Sequence, residues 1–274
     1  MVYDTSKLFG EKGKFRVLQF SDEAVQGAVD LNRPERILFE YPRAVIHLME
    51  YNRPSFEHVF IIGHGIGTIA GHFPDKLVKT AELSEKIVEL SKTFFGYRWD
   101  NVMIGDGLRL LEREKPNLYD YIILDAFTKD GTPRHFMSRH FFRITRDKLH
   151  SEGAVILNLI GRGANDECLR AVHTTLREEY AYTKTFSFSS DKAHDYKNIL
   201  MIGSSSPIRF QERKMAGFIE IGLEQGHILG TGHAYNRMPD AACGGTGFCR
   251  CESLGNRRAG STCGTVNRNG SKGR

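Results

Sequence analysis

Short apolar runs recur along the chain, separated by polar or glycine-rich turns. Val59, Phe60, Ile61 and Ile62 form one run, and residues 119–124 and 154–159 form others. Runs of this length between turn residues predict buried strands. Strands are expected at 58–62, 76–80, 101–104, 119–124 and 154–159, with a closing pair at 183–188 and 198–202. Helices are expected to start near Thr68, Ser84 and Leu108, and to cover 138–149 and 166–179. In the second of these, Ile87, Val88, Leu90 and Phe94 share a helical stripe, which is core packing rather than chemistry. Glu152-Gly153 reads as a turn into the fifth strand. Upstream, residues 15–29 alternate as strands do, Asn32-Arg33-Pro34 is a turn, and 37–49 reads as a helix with Pro42 in its first turn. Strands alternating with helices predict an α/β fold with a mostly parallel sheet. No helix separates the last two strands, so one of them should run antiparallel.

Chemistry concentrates where the predicted strands end. The first strand runs into a turn holding Gly63, Gly65 and Gly67, and the second ends near Glu82, nineteen positions after Gly63. Strand, glycine turn, short helix, strand and acid is the order that builds a nucleoside pocket: glycines admit close backbone approach, a helix start offers free N–H groups, and the acid accepts ribose hydroxyls. The dinucleotide fingerprint wants a sixth-position glycine, and Thr68 stands there instead. That spacing argues against a nicotinamide or flavin dinucleotide and favours an S-adenosylmethionine-type ligand. The third strand ends at Gly105-Asp106-Gly107 and the fourth at Asp125. Three successive strands thus end in a carboxylate at the edge where open α/β sheets bind ligands. Each acid taken alone is equally well explained as a cap on the following helix.

Charge adds little. The net charge is +5, but residues 237–274 carry seven Lys or Arg and two acids, so the remainder is neutral. Specific nucleic-acid binding is therefore not expected. Residues 236–274 are rich in Gly, Arg, Asn and Ser, hold four of the five cysteines without paired C-x-x-C spacing, and read as a disordered basic tail rather than a zinc site. An altered reading frame or a vector-derived end would give the same abrupt change of composition. No metal site is proposed, since the eleven histidines show no helical pair with a helper acid. His64, inside the glycine turn, reads first as a solvated loop residue, with ligand contact the lesser reading. Cys168 reads as a packing residue. No run approaches eighteen apolar residues, and the first fourteen residues hold no apolar signal segment, so a cytoplasmic location without membrane contact is expected.

The segments IIGHGIGTIA, VKTAELSEKIVEL, MIGDGLRLL and YDYIILDAF resemble the successive motifs of the spermidine synthase (polyamine aminopropyltransferase) family. The resemblance covers about residues 15–205 and is nearest to bacterial spermidine-synthase-like proteins whose fourth strand ends in DAF. It implies a class I methyltransferase-like (Rossmann-like) sheet of seven strands with helices on both faces, preceded by a small β-hairpin region. The expected division is 1–50 for the hairpin region and linking helix, 51–206 for the nucleoside-binding catalytic domain, 207–235 for an extension and 236–274 for the tail.

The resemblance also implies roles. Decarboxylated S-adenosylmethionine or S-adenosylmethionine would be the co-substrate and a small amine the acceptor, with room for a homodimer. Glu82 would take the ribose, Asp106 the adenine amino group beside Gly107, and the turn Gly63, Gly65 and Gly67 the sulfonium chain, whose amino end Gln26 would hold. Asp125 matches the first of two aspartates that hold and deprotonate the amine, with Tyr41 aligning it. The second would fall at Thr128; Asp130, two residues on, is the substitute if the loop bends toward the site. The family's residue after the tyrosine is often His or Gln, and here it is Pro42. Three rivals stand beside aminopropyl transfer: a methyltransferase with an unknown acceptor; a noncatalytic nucleoside-binding or dimerising protein, which Thr128 favours; and a nicotinamide oxidoreductase, which Thr68 and the strand end Gly105-Asp106-Gly107 argue against.

Overall fold

A computed structural model describes residues 1–20, 24–128, 131–189 and 196–230. Eight strands form one sheet in the order β11-β9-β10-β8-β7-β4-β5-β6. These are β4 (His58–Ile62), β5 (Leu77–Glu82), β6 (Val102–Ile104), β7 (Tyr119–Leu124), β8 (Leu149–Gly161), β9 (Tyr182–Phe188), β10 (Lys197–Ser204) and β11 (Phe218–Glu220). β4 pairs in parallel with β5 and β7, β5 with β6, and β7 with β8; β10 runs antiparallel between β8 and β9. The sequence order reverses at β4, between β5 and β7, so the crevice opens at the carboxyl end of β4.

Alternation within the strands divides the core. Val59, Ile61, Tyr121, Ile123 and Ile156 face one side, where α1 (Glu40–Asn52) and α2 (Thr68–His72) cover them. Phe60, Ile62, Ile122, Leu124 and Leu157 face the other, against α4 (Gly107–Glu112), α5 (Arg139–Lys148) and α6 (Glu167–Arg177). Strands covered on both faces are apolar along most of their length, which is why residues 121–124 and 154–157 read as continuous runs. α3 (Glu85–Phe95) follows β5 and buries Ile87 and Val88.

Ahead of this sheet lies a three-stranded antiparallel sheet, β1 (Val2–Leu8), β2 (Glu11–Phe20) and β3 (Ala24–Asp30), with its own small core of Leu8, Phe15, Val17 and Ala28. The expected hairpin therefore has a third strand. β1 is a mostly polar edge whose burial does not alternate cleanly, so its sequence carries no strand period. β11 is likewise an addition to the expected seven strands; it has three residues, and only Phe218 is buried. Glu152-Gly153 is not a turn: β8 begins at Leu149, and a register shift in its pairing with β7 accompanies the approach of Gly153 to the Tyr119 carbonyl, where a side chain would crowd. α1 starts at Glu40, three residues later than expected, because Leu38 and Phe39 pack on the N-terminal core instead. Pro42 does sit in its first turn, where a missing N–H costs nothing.

Candidate active site

The glycine turn and Glu82 are tied together by the backbone. Gly63 has a φ of 98°, and a Cβ there would collide with the Asp125 carbonyl, so the backbone just past β4 can lie this close to that past β7 only as glycine. The Glu82 carboxylate accepts the His64 N–H at 3.0 Å through Oε2 and the Ser84 N–H at 2.9 Å through Oε1. Each oxygen keeps a further lone pair for a ligand hydroxyl. Gly63 and Gly65 line the pocket. Gly67 does not belong with them: it caps α2 and lies against the Tyr97 ring, a helix-start role that its left-handed φ allows. His64 is not solvated. It is 8% exposed, its Nε2 pairs with Ser91 Oγ at 2.8 Å, and its ring stands edge-on to Tyr97 at 4.5 Å. Burial, helped by Lys92, lowers its pKa to about 4.

Asp106 caps α4, accepting the Arg109 N–H at 3.0 Å through Oδ1. Its Oδ2 lies 3.5 Å from Nε2 of His135, whose pKa burial pushes down while Asp106 pulls it up. Asp106 thus caps α4 and, with His135, lines the same cavity as Glu82. Gly107 is required by its own fold: a Cβ would strike the Ile62 side chain, so α4 packs directly on β4.

Asp125 follows β7 and stands at the junction with α1 and β8. Tyr41 donates its hydroxyl to Asp125 Oδ2 at 3.0 Å, and Asn158 Nδ2 donates to Oδ1 at 2.8 Å. Burial raises the Asp125 pKa, and these two donors oppose the rise. The Tyr41 hydroxyl is pushed well above its ordinary value by burial and by the neighbouring carboxylate. Gln26 lies on β3 at the pocket wall, and Ile66 of the glycine turn packs on its neighbour Gly27, so the N-terminal sheet closes over the turn. Thr128 forms a tight bridge with Gly131, its N–H and Oγ1 both donating to the Gly131 carbonyl. Asp130 lies outside the described residues. Among the expected residues, Gln26, Tyr41, Gly63, Gly65, Glu82, Asp106, Gly107 and Asp125 line one pocket. Sequence reasoning missed Asn158 and His135; an asparagine inside the apolar run AVILNL was the available signal for the first.

A family model of the spermine/spermidine synthase domain matches residues 38–204, well over half of the chain. The chain belongs to that family. A polyamine aminopropyltransferase of Vibrio vulnificus is 30% identical over 162 residues, 54% of each chain. The eEF1A lysine and N-terminal methyltransferase of Bos taurus is also 30% identical, over 53% of this chain and 21% of that one. The chain thus aligns with little more than half the length of the curated aminopropyltransferase. A probable spermidine synthase from Corynebacterium glutamicum has the same fold, with a TM-score of 0.71 at 17% identity over 87% of this chain and 95% of that one.

Proposed function

We propose that the protein transfers an alkyl group from a sulfonium nucleoside, decarboxylated S-adenosylmethionine or S-adenosylmethionine, to the nitrogen of a small amine. The observation that supports this best is Asp125: a carboxylate with one neutral donor on each oxygen, in the same pocket as Glu82 and Asp106. Glu82 binds the ribose hydroxyls, Asp106 the adenine amino group, and the turn at Gly63 and Gly65 lies beside the sulfonium chain, with Gln26 at its amino end. The sulfonium is already a good leaving group, so the protein mainly positions the reactants and supplies a neutral amine. Asp125 holds the acceptor as an ammonium and takes one proton. The amine lone pair then forms the N–C bond as the C–S bond breaks, leaving a neutral thioether nucleoside. Burial moves the Asp125 pKa toward that of the amine, which makes it a better base than an exposed carboxylate. Aminopropyl transfer is the favoured reading, in line with the Vibrio vulnificus relative. The Bos taurus relative, named for methyl transfer, supports methyl transfer as the second reading.

Incubation with each donor and a panel of mono-, di- and polyamines separates the cases. Methylthioadenosine with an aminopropylated amine is expected. S-adenosylhomocysteine with a methylated amine means methyl transfer, and no thioether with any pair overturns the enzyme reading.

A further inference from the structure

Asn158 is 1% exposed within the apolar strand β8, where an amide needs partners at both ends. β7 and β8 run in parallel with Leu124 opposite Leu157, which places position 158 beside Asp125. β10 runs antiparallel to β8, with Asn198 opposite Ile160. Asn198 Nδ2 donates to Asn158 Oδ1 at 2.9 Å, and Asn158 Nδ2 donates to Asp125 Oδ1 at 2.8 Å. With Asp125 ionised the direction of this chain is set: a carboxylate only accepts, so the Asn158 amide nitrogen faces Asp125, its oxygen faces away, and Asn198 donates to that oxygen.

We infer that Asn158 and Asn198 are positioning residues that act in series to keep Asp125 ionised and aimed into the pocket. Their role as aids to amine alkylation rests on the proposed function; their action on Asp125 does not. The groups facing Asp125 explain why the relay is needed. Tyr41 donates from α1. Glu82 from β5, Asp106 before α4, His135 and His64 line the same pocket, with the His64 ring turned toward Ser91. Two of these are acids, and no Lys or Arg lines the pocket among the described residues, so no cation there offsets the burial of the Asp125 charge. The ionised form is therefore held by neutral donors, and Asn158 supplies the contact on Oδ1. Asn198 does not line the pocket; it satisfies the Asn158 oxygen that faces away from the carboxylate and so supports the orientation in which Asn158 donates to Asp125.

The test is a carboxyl-carbon NMR titration of aspartate-labelled full-length protein, with Asp125→Asn assigning the signal and melting curves confirming the fold. Asn158→Leu keeps the branched skeleton with bulkier ends, and Asn158→Ala removes the amide without crowding; both should raise the Asp125 midpoint, the leucine variant by about one to two pH units, the scale of a hydrogen bond to a charged group. Asn198→Leu should raise it by less, and the double variant should match Asn158→Leu alone, since the two act in series. An unmoved or lowered midpoint in Asn158→Leu overturns the inference. Additive shifts in the double variant overturn the serial relay. With an accepted amine, the acid limb of kcat/KM should move in parallel with the midpoint. A moved midpoint without any turnover in the parent protein would overturn the proposed function and leave the relay standing.

Discussion

At the scale of single residues, Glu82 and Asp125 have different work to do, and their substitutions should separate. Glu82 holds the turn through the His64 N–H, accepts the Ser84 N–H as well, and offers its remaining lone pairs to the ribose. Charge-assisted hydrogen bonds are worth about 1.5–3 kcal/mol each. Glu82→Ala should weaken methylthioadenosine binding by about ten- to a hundredfold in calorimetry. Tight binding of NAD with no thioadenosine binding would contradict the pocket assignment. Asp125→Asn should leave that affinity intact and reduce amine turnover by about a hundred- to ten-thousandfold, the usual size of a general-base contribution. The amide keeps its shape: its oxygen accepts from Asn158 and its nitrogen donates to the Tyr41 oxygen. It cannot carry the charge or take the proton, so unchanged kcat in this variant would remove Asp125 from the mechanism.

His64 sets a pH dependence at the same scale. Its folded pKa of about 4 lies below the ordinary 6.5, so the unfolded chain binds more protons between those values. Its contribution is fully present above pH 6.5 and is lost as pH falls toward 4. The shift corresponds to about 3 kcal/mol, an order-of-magnitude figure. Urea denaturation at pH 4.5 and 7 should show this loss, and His64→Gln should flatten it. An equally steep loss in the variant would assign the slope to other groups.

At the scale of elements, the sequence made the central strands legible because both of their faces are buried. β4, β7 and the later part of β8 stand where their apolar runs predict; Glu82 ends β5, and Asp106 and Asp125 lie just beyond β6 and β7. β1 and β11 were not legible: edge strands with few buried side chains carry no period. The turn predicted at Glu152-Gly153 failed for a different reason, since glycine marks a close approach of backbones as well as a turn. The Asn158 hydrogen bond depends on which strand lies beside β7, and spacing along the chain does not reveal that. Gly107 shows the same ambiguity. It lies in the pocket wall, but the atom it makes room for is in Ile62. Gly107→Ala should destabilise by about 1–3 kcal/mol through overpacking. In an Ile62→Ala background, where the Cγ2 atom that the new methyl would strike is gone, Gly107→Ala should cost less. Equal melting temperatures for Gly107→Ala and the parent would show that α4 can shift off β4 without cost.

At the scale of the whole molecule, the chain after β11 divides into a part that packs and a part whose composition offers little to pack. Residues 222–230 run along α6. Leu229 is 3% exposed in the core of that face, its N–H donates to Thr175 Oγ1 at 2.8 Å, and its carbonyl accepts from the Arg139 N–H at 3.0 Å. Gly226 donates its N–H to Thr174 Oγ1 at 2.8 Å, and Glu224 pairs with Arg170 at 2.8 Å. The exposed ion pair adds little. Burial of one leucine is worth about 1.5–3 kcal/mol and each net hydrogen bond about 1 kcal/mol. Truncation after Ile221 should therefore cost about 3–5 kcal/mol and lower the melting temperature by roughly ten degrees or more. Truncation after Tyr235 removes a segment with three large aliphatic residues, Met238, Leu254 and Val266, and five excess positive charges. In reducing buffer, where its four cysteines do not pair, this second cut should leave melting and methylthioadenosine affinity unchanged. It should also weaken salt-sensitive adhesion to polyanions. Equal losses of stability for the two cuts would place the anchor beyond residue 235, and stoichiometric zinc in the intact chain would give the tail cysteines a structural role.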